Sequence, residues 1–271
     1  MMKKLSVMIL ALALALGLGG AALAGNTLAE VKAKGVLTAG VKDSLPPFGY
    51  VDARTRTIVG YDVDFVKALA DKLGVKLELK PVTSASRMPQ LSEGNIDIIA
   101  ATMTKTAERA KQIDFSHTYF KTGQKFLVKK GAVKGLQDLA GKKIGTAKGS
   151  TSEQNAAKAL PTATILSFDD YPQAFLALRQ GKVQAVTTDE SILAGIRAKA
   201  PNQDAFEIPD IQISDEPYGL GMRKGDANFV KFVNDALLEM EKSGQARAIF
   251  LKWFGPDSPT PMTRNFNIQP D

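Results

Sequence analysis

A buried strand followed by a helix start and an arginine is the pattern in this sequence best suited to bind an anion. Residues 96–101 are apolar apart from Asp97 and predict a strand buried on both faces, and the threonine-rich residues 102–106 follow it. Arg109 comes about one helical turn later. Guanidinium groups and helix N-termini both bind carboxylates, so we predict an anion site here that includes Thr102 and Thr104. An ordinary strand-to-helix junction with a surface arginine is the alternative.

A second junction of this kind lies at residues 145–153, where a glycine turn joins a strand to a hydroxyl-rich helix start. Ser150 and Thr151 stand at that helix start and predict donors for an anion. The spacing lacks the lysine of a phosphate-binding loop, G-x-x-x-x-G-K-[ST], so we expect no nucleotide. A capped helix without a ligand is the simpler alternative.

Three charged residues come near the carboxyl ends of predicted strands, where open α/β sheets bind ligands. Asp189 follows the apolar run 183–188 and is placed to receive a ligand ammonium group. Lys42 follows the strand 36–41, and Arg87 ends the segment 83–87. Each also fits a simpler role, a helix cap for Asp189 and a solvated surface cation for Lys42 and Arg87.

Alternating strand and helix patterns predict an α/β protein with largely parallel sheets. Extended segments at 119–130 and 218–222 separate two such series, so we predict two lobes joined by two crossing hinge segments. The predicted limits are 25–121 and 218–255 for the discontinuous lobe 1, 122–217 for lobe 2, and 256–271 for an extended, proline-rich tail. The predicted strands are 36–41, 75–80, 96–101, 143–147, 164–166 and 183–188, and the predicted helices are 62–73, 84–93, 152–159, 172–180 and 191–199.

Residues 1–24 have the pattern of a cleaved secretory signal peptide: a basic start, an apolar core and the motif Ala22-Leu23-Ala24. This predicts a soluble periplasmic protein, with an uncleaved membrane anchor as the alternative. The chain has no cysteine, which excludes disulfides. Its net charge is +7, but lysine and arginine never occur in runs longer than two, so we expect no nucleic-acid partner.

Catalytic and metal-binding patterns are weak. His117 is the single histidine, and no G-x-S-x-G nucleophile motif occurs. One histidine and no cysteine leave few ligands for a transition metal. We therefore expect no enzyme activity, no cofactor and no metal.

Motifs along nearly the whole chain, from about residue 35 to residue 254, resemble those of the polar amino-acid family of periplasmic substrate-binding proteins (family 3). The resemblance implies a type II two-lobe fold, each lobe a mixed, mainly parallel sheet flanked by helices. It also implies a monomer that closes on one amino acid and delivers it to the membrane permease of an ABC transporter. The segments that carry it are 46–50, 60–64, 94–97, 104–109, 114–116, 136–149 and 216–219.

The resemblance also implies roles for individual residues. Arg109 is similar to the arginine that binds the ligand α-carboxylate, and Asp189 is similar to the acceptor of the α-ammonium group. Tyr61 resembles an aromatic wall of the ligand site. Further implied contacts come from Thr102, Thr104, Ser150, Thr151, Tyr171 and Tyr218.

Two features concern the ligand side chain: a departure from the family pattern at Lys42 and Leu45, and a likeness to glutamate/aspartate-binding members in segment 83–89. Many members for cationic or neutral amino acids have an acidic residue where this chain has Lys42. Segment 83–89 is similar to that of glutamate/aspartate-binding members, in which an arginine reads the side-chain carboxylate. We therefore expect Lys42 and Arg87, assisted by Ser84, to bind the distal carboxylate of glutamate or aspartate. The alternatives are a glutamine-binding protein and, from another class, a carboxylate-substrate dehydratase on the same fold.

Overall fold

Two mixed β-sheets flanked by helices organise the computed structural model, which describes residues 26–271. The signal-peptide prediction falls on residues 1–24 and lies outside the described residues. The helices are α1 (Thr27–Lys34), α2 (Tyr61–Leu73), α3 (Arg87–Ser92), α4 (Ala107–Ala110), α5 (Thr151–Ala159), α6 (Tyr171–Arg179), α7 (Glu190–Ala198), α8 (Ala227–Lys242) and α9 (Gln245–Phe254). The strands are β1 (Val36–Val41), β2 (Ser44–Leu45), β3 (Gly49–Val51), β4 (Ile58–Val59), β5 (Lys76–Pro81), β6 (Ile98–Ala100), β7 (Ile113–Phe115), β8 (Phe120–Lys129), β9 (Lys143–Ala147), β10 (Thr164–Phe168), β11 (Ala185–Asp189), β12 (Phe206–Glu207), β13 (Ser214–Tyr218) and β14 (Gly221–Arg223).

The first sheet has the strand order β5-β1-β6-β14-β7. Strand β1 runs parallel to both β5 and β6, whereas β14 is antiparallel to β6 and β7. All of β6 is buried, as its apolar sequence predicts. Because β14 comes from the end of the chain, this sheet is discontinuous in sequence.

The second sheet has the order β10-β9-β11-β8-β12, with β13 also paired to β8. Strand β9 is parallel to β10 and β11, and β8 is antiparallel to β11, β12 and β13. Strands β2, β3 and β4 form a separate small sheet. The predicted α/β fold class with two mixed sheets is therefore confirmed.

Strands β8 and β13 form the connection between the two sheets. They pair antiparallel, from Tyr218 opposite Phe120 to Ser214 opposite Gln124. The second crossing strand therefore begins at Ser214, earlier than the predicted segment 218–222, and residues 221–223 already belong to the first sheet. The lobe limits inferred from the sequence stay a prediction.

An aromatic cluster holds the start of β8 in the first lobe. The ring of Phe120 lies 5.0 Å from Phe48, 5.1 Å from Tyr61 and 5.1 Å from Phe254, measured between centroids. Each such pair contributes about 0.5–1.5 kcal/mol beyond simple burial. One end of the crossing pair is thus fixed in a rigid core.

The tail after α9 packs on the first lobe without forming a helix or strand. Phe266 is buried, and its ring lies 5.5 Å from that of Phe120. Arg264 pairs with Glu241 of α8, and the carboxylate of Asp271 accepts a hydrogen bond from the hydroxyl of Thr118 at 2.7 Å. None of the helices within residues 26–271 is long and apolar enough to cross a membrane.

Truncation of the ring of Phe120 should destabilise the protein strongly. Phe120→Ala removes a fully buried ring, which typically costs about 3–5 kcal/mol of unfolding free energy. Leu176→Ala is the control, because Leu176 is 49% exposed and should change stability by about 0.5 kcal/mol or less. Urea denaturation measures both. A loss below about 1 kcal/mol for Phe120→Ala would contradict the role of the cluster.

Candidate functional site

The polar residues singled out in the sequence gather where the two sheets face each other. Lys42 follows β1, Thr102 follows β6, and Asp189 ends β11. Arg87 begins α3, and Ser150 caps α5. The carboxyl ends of parallel strands from both sheets therefore form one junction, the usual ligand site of such folds.

The two lobes touch across this junction. Nη2 of Arg109 donates to the carbonyl of Gly149 at 3.3 Å, and the hydroxyl oxygens of Thr104 and Thr151 lie 3.5 Å apart. Gly149 has φ +74°, and a Cβ added there would lie 2.8 Å from Cα of Ala85. The structure is thus a closed arrangement, and only glycine permits the approach at this position.

Arg87 is a buried cation that forms no ion pair with a described residue. Its side chain is 2% exposed, and Nη1 donates to the carbonyl oxygens of Ala101 and, at 3.2 Å, Thr102. Nε has no partner, and no carboxylate within residues 26–271 forms an ion pair with this guanidinium. Burial and then the charge of Arg109 lower the pKa of Arg87, but a guanidinium remains protonated at neutral pH. Its free N–H groups can bind a carboxylate.

Lys42 is completely buried on the same side of the junction. Its Nζ donates to Oγ of Ser84 at 3.1 Å and lies 4.0 Å from Oδ1 of Asp170. Burial lowers the pKa of Lys42 to about 8, and the opposing effect of Asp170 is smaller. The ammonium group is therefore mostly protonated at pH 7. Arg87 contributes to this pKa shift as well, so the two cations influence one another.

Asp189 has the opposite charge and a free acceptor. It is 4% exposed, its Oδ1 has no hydrogen-bond partner, and its other oxygen accepts from the hydroxyl of Tyr218. Burial, followed by the charge of Glu216, raises the pKa of Asp189 to about 7. The hydroxyl of Tyr171 lies 3.4 Å from Oγ of Ser152 in the same lobe. A ligand ammonium group would satisfy Oδ1 and stabilise the ionised carboxylate.

Arg109 lies at the rim of the junction. Helix α4 has only four residues and is capped by Thr106, whose hydroxyl accepts from the Arg109 backbone at 3.2 Å. Nη1 of Arg109 donates to the carbonyl of Thr104 at 2.9 Å. Burial is the main cause that lowers the pKa of Arg109. Arg109 therefore contacts the segment that contains Thr102 and Thr104, as predicted. A turn and a four-residue helix position it there, and not the start of a longer helix.

A residue that the sequence interpretation missed, Asp62, holds this turn. Thr102 has φ +48°, which is unusual for a residue with a branched side chain. Its N–H donates to Oδ2 of Asp62 at 2.8 Å, and the hydroxyl of Tyr119 donates to Oδ1 at 2.7 Å. Burial raises the pKa of Asp62 to about 6. The N–H of Thr102 is thus not free for a ligand; its carbonyl instead holds Arg87.

Three predicted residues use their hydroxyl groups within the protein: Tyr61 in the aromatic cluster, and Ser150 and Thr151 at the start of α5. Tyr61 lies in the aromatic cluster, where its hydroxyl donates to the Tyr119 carbonyl at 2.9 Å, so we leave it out of the ligand contacts proposed below. Ser150 uses its hydroxyl within lobe 2, donating to the Ala147 carbonyl at 2.6 Å. Thr151 donates to Oε2 of Glu216 at 2.9 Å.

Glu216 is the second buried carboxylate that the sequence interpretation missed. It lies on β13 and accepts from Thr151 and Asn155 of α5, so it ties a crossing strand to lobe 2. Its neighbours Ser214, Asp215 and Pro217 are residue types that are usually exposed, so the sequence does not predict that Glu216 is buried. No group of three or more histidine, cysteine or acidic residues in the described part of the chain is placed to hold a metal ion.

Residues 37–256 match the family model for bacterial extracellular solute-binding proteins, family 3. The chain is 40% identical to the ABC transporter glutamine-binding protein GlnH of Bacillus subtilis, with 86% of each chain covered. It is 35% identical to the glutamate/aspartate import solute-binding protein of Salmonella typhimurium, over 97% of this chain and 91% of that protein. The crystal structure of the ancestral amino acid-binding protein AncCDT-1, a precursor of cyclohexadienyl dehydratase, is also similar. It has a TM-score of 0.77 and 37% identity, over 84% of this chain and 99% of that one.

Removal of the Asp62 carboxylate should destabilise the site and the fold together. Asp62→Ala leaves the Thr102 N–H and the Tyr119 hydroxyl buried without acceptors, at about 1–3 kcal/mol of unfolding free energy each. Asp71→Ala on the same helix is the control, because its exposed pair with Lys67 contributes only about 0.3–0.5 kcal/mol. Chemical denaturation compares the two, and equal losses would show that the turn does not depend on Asp62.

Proposed function

We propose that this chain, which belongs to the bacterial extracellular solute-binding proteins of family 3, binds L-glutamate and/or L-aspartate in the periplasm for an ABC importer. The observation that carries the proposal is the buried guanidinium of Arg87, which has no carboxylate partner in the described structure. An uncompensated buried charge costs several kcal/mol, so a site that retains one is suited to a ligand of opposite charge.

Arg109 and Asp189 would bind the groups common to all amino acids. The guanidinium of Arg109 would take the α-carboxylate, with the hydroxyls of Thr104 and Thr151 close by. The free Oδ1 of Asp189 would accept from the α-ammonium group, beside Tyr218 and Tyr171. These contacts identify the ligand class but do not select a side chain.

The side chain would be selected by the cations on the first lobe. Arg87 and Lys42 supply two positive charges, with Ser84 hydrogen-bonded to Lys42, and Asp170 supplies one negative charge 4.0 Å from Lys42. These three groups sum to one positive charge, and the buried carboxylate of Asp62 also acts on both cations. Asp62 hydrogen-bonds to Thr102 and Tyr119 and not to Arg87 or Lys42, so a distal carboxylate would be the direct partner of the two cations. A cationic ligand would meet like charges, which costs several kcal/mol in a desolvated site.

Glutamine is the second candidate, and one observation favours it. The carboxylate of Asp170 beside Lys42 offers an acceptor for an amide NH₂, while Lys42 can donate to the amide oxygen. The relatives carry both names, glutamine-binding in Bacillus subtilis and glutamate/aspartate in Salmonella typhimurium, so likeness alone does not decide.

An enzyme is the alternative from a different functional class, and the likeness to a precursor of a dehydratase raises it. A dehydratase needs a group that removes or delivers a proton near the bond that breaks. Arg87 and Lys42 are protonated near neutral pH and are poor bases in that form. The relatives from Bacillus subtilis and Salmonella typhimurium are named as transport proteins, and we propose a transport role for this chain.

Transport would use a hinge motion of a monomer. The paired strands β8 and β13 connect the sheets, and the ligand would touch both lobes, through Arg87 on one side and Asp189 on the other. A ligand that contacts both lobes stabilises the closed form. The membrane permease of the importer would then recognise the closed, loaded protein.

Calorimetry with ligand-stripped protein and a panel of the twenty amino acids tests the proposal. We expect binding of glutamate or aspartate at micromolar or lower dissociation constants, about −8 kcal/mol or better, and weaker binding of glutamine. Arg87→Ala should weaken the acidic ligand by about 30-fold or more, because removal of one partner of a buried charge pair costs about 2–5 kcal/mol. Glutamine should lose less.

Arg179→Ala is the matched control, because it removes the same charge from an exposed position on α6. It should leave all affinities unchanged. Thermal unfolding of both variants checks that the fold is intact. Tight glutamine binding with no binding of either acid would overturn the proposed ligand and favour the second candidate.

The pH dependence of the acidic ligand should be bell-shaped. The pKa of Asp189 is raised to about 7 in the absence of ligand, and a bound ammonium lowers it, so affinity falls by up to about tenfold per pH unit below pH 7. The pKa of Lys42 is lowered to about 8, so loss of its proton weakens the distal carboxylate above that pH. Calorimetry from about pH 5.5 to 9.5 checks both limbs. A flat profile below pH 7 would contradict the role of Asp189.

A further inference from the structure

One carboxylate of the second lobe, that of Asp170, reaches across the junction. It caps α6, where Oδ1 accepts from the backbone N–H of Tyr171 at 2.9 Å. The other oxygen, Oδ2, accepts a hydrogen bond from the hydroxyl of Ser44 on the first lobe. Nζ of Lys42 lies 4.0 Å from Oδ1. A cap alone requires only the first of these contacts.

The backbone close to Asp170 is also in direct contact across the lobes. Gly195 of α7 lies so near the first lobe that an added Cβ would be 1.8 Å from the carbonyl oxygen of Pro46. Ser44 is two residues before Pro46, so the contact made by Asp170 lies where the lobes meet closely. The carboxylate is therefore held beside Lys42 by the closed fold, and Asp170 side-chain exposure is only 18%.

We propose that Asp170 is a specificity-determining residue that balances the charge of Lys42 when the lobes close and so limits the preference for an acidic ligand over its amide. The inference rests on the proposed function. The buried carboxylate of Asp62 also acts on Arg87 and Lys42 and stays in place in every variant. The contribution that changes is that of the Asp170 carboxylate beside Lys42. Without that carboxylate the ligand would face two cations, which favours glutamate over glutamine.

The variant Asp170→Asn separates charge from structure. Asparagine caps helices about as well as aspartate. With its Oδ1 on the Tyr171 N–H, its Nδ2 can donate to the Ser44 hydroxyl in place of accepting from it, so the contact is kept and the charge is lost. We expect the ratio of dissociation constants, glutamine over glutamate, to rise by about tenfold, the effect of about 1.4 kcal/mol. Asp170→Ser keeps a good cap without the charge and should shift the ratio in the same direction, which covers a folding defect in the first variant.

Asp169→Asn is the matched control, because it makes the same charge change at the exposed neighbouring position. It should leave the ratio unchanged. Calorimetric titrations of each protein with glutamate and glutamine give the ratio, and thermal unfolding confirms the fold.

The outcomes distinguish the inference from the function on which it rests. If the wild-type protein binds glutamate but both Asp170 variants keep its ratio within about twofold, the inference is wrong and the proposed function stands. A ratio that falls in both variants would also overturn the inference. A wild-type protein that binds no acidic amino acid would overturn both.

Discussion

A buried guanidinium without a counter-ion is the constraint on which the site depends. Within residues 26–271, the hydrogen bonds of the Arg87 guanidinium go to the carbonyl oxygens of Ala101 and Thr102, neutral groups that orient a cation but do not neutralise it. The chain reaches this geometry through a turn at Thr102 with φ +48°, and a buried carboxylate, Asp62, fixes that turn. Several kcal/mol of desolvation thus remain uncompensated until an anion arrives. The strained backbone serves to aim the cation at the site.

Charged groups without partners among the described residues lie on both lobes, which would couple ligand binding to closure. The first lobe contributes the unpaired cation Arg87, and the second contributes the unpaired carboxylate oxygen of Asp189. A ligand with a carboxylate and an ammonium group would satisfy both only when the lobes are together, so its binding free energy would favour the closed form. The aromatic cluster around Phe120 holds one end of the crossing strands, so the proposed hinge motion would pivot about that end. Asp170 adds a hydrogen bond between the lobes in this closed structure.

Local patterns predicted the elements well, because their signals lie within a few residues. The strict alternation before Pro81 predicted β5, and the apolar run before Thr102 predicted β6. The charged residues at strand ends were also within reach of the sequence, since topology places such ends together. Contacts between segments that are far apart in the chain could not be predicted from the sequence. Asp170 looks like an ordinary helix cap, and its partner Ser44 is 126 residues away. The family resemblance predicts Tyr61 as a ligand wall, and in the structure its ring packs near those of Phe48, Tyr119 and Phe254, contacts that no local pattern in the sequence indicates.

A crystal structure of the ligand-stripped protein soaked or grown with L-glutamate tests the central claim most directly. We expect the γ-carboxylate to lie about 3 Å from the guanidinium of Arg87 and near Nζ of Lys42. We also expect the α-ammonium group at Oδ1 of Asp189. A structure in which the guanidinium of Arg87 contacts no carboxylate, or in which the side-chain carboxylate points away from both cations, would contradict this claim.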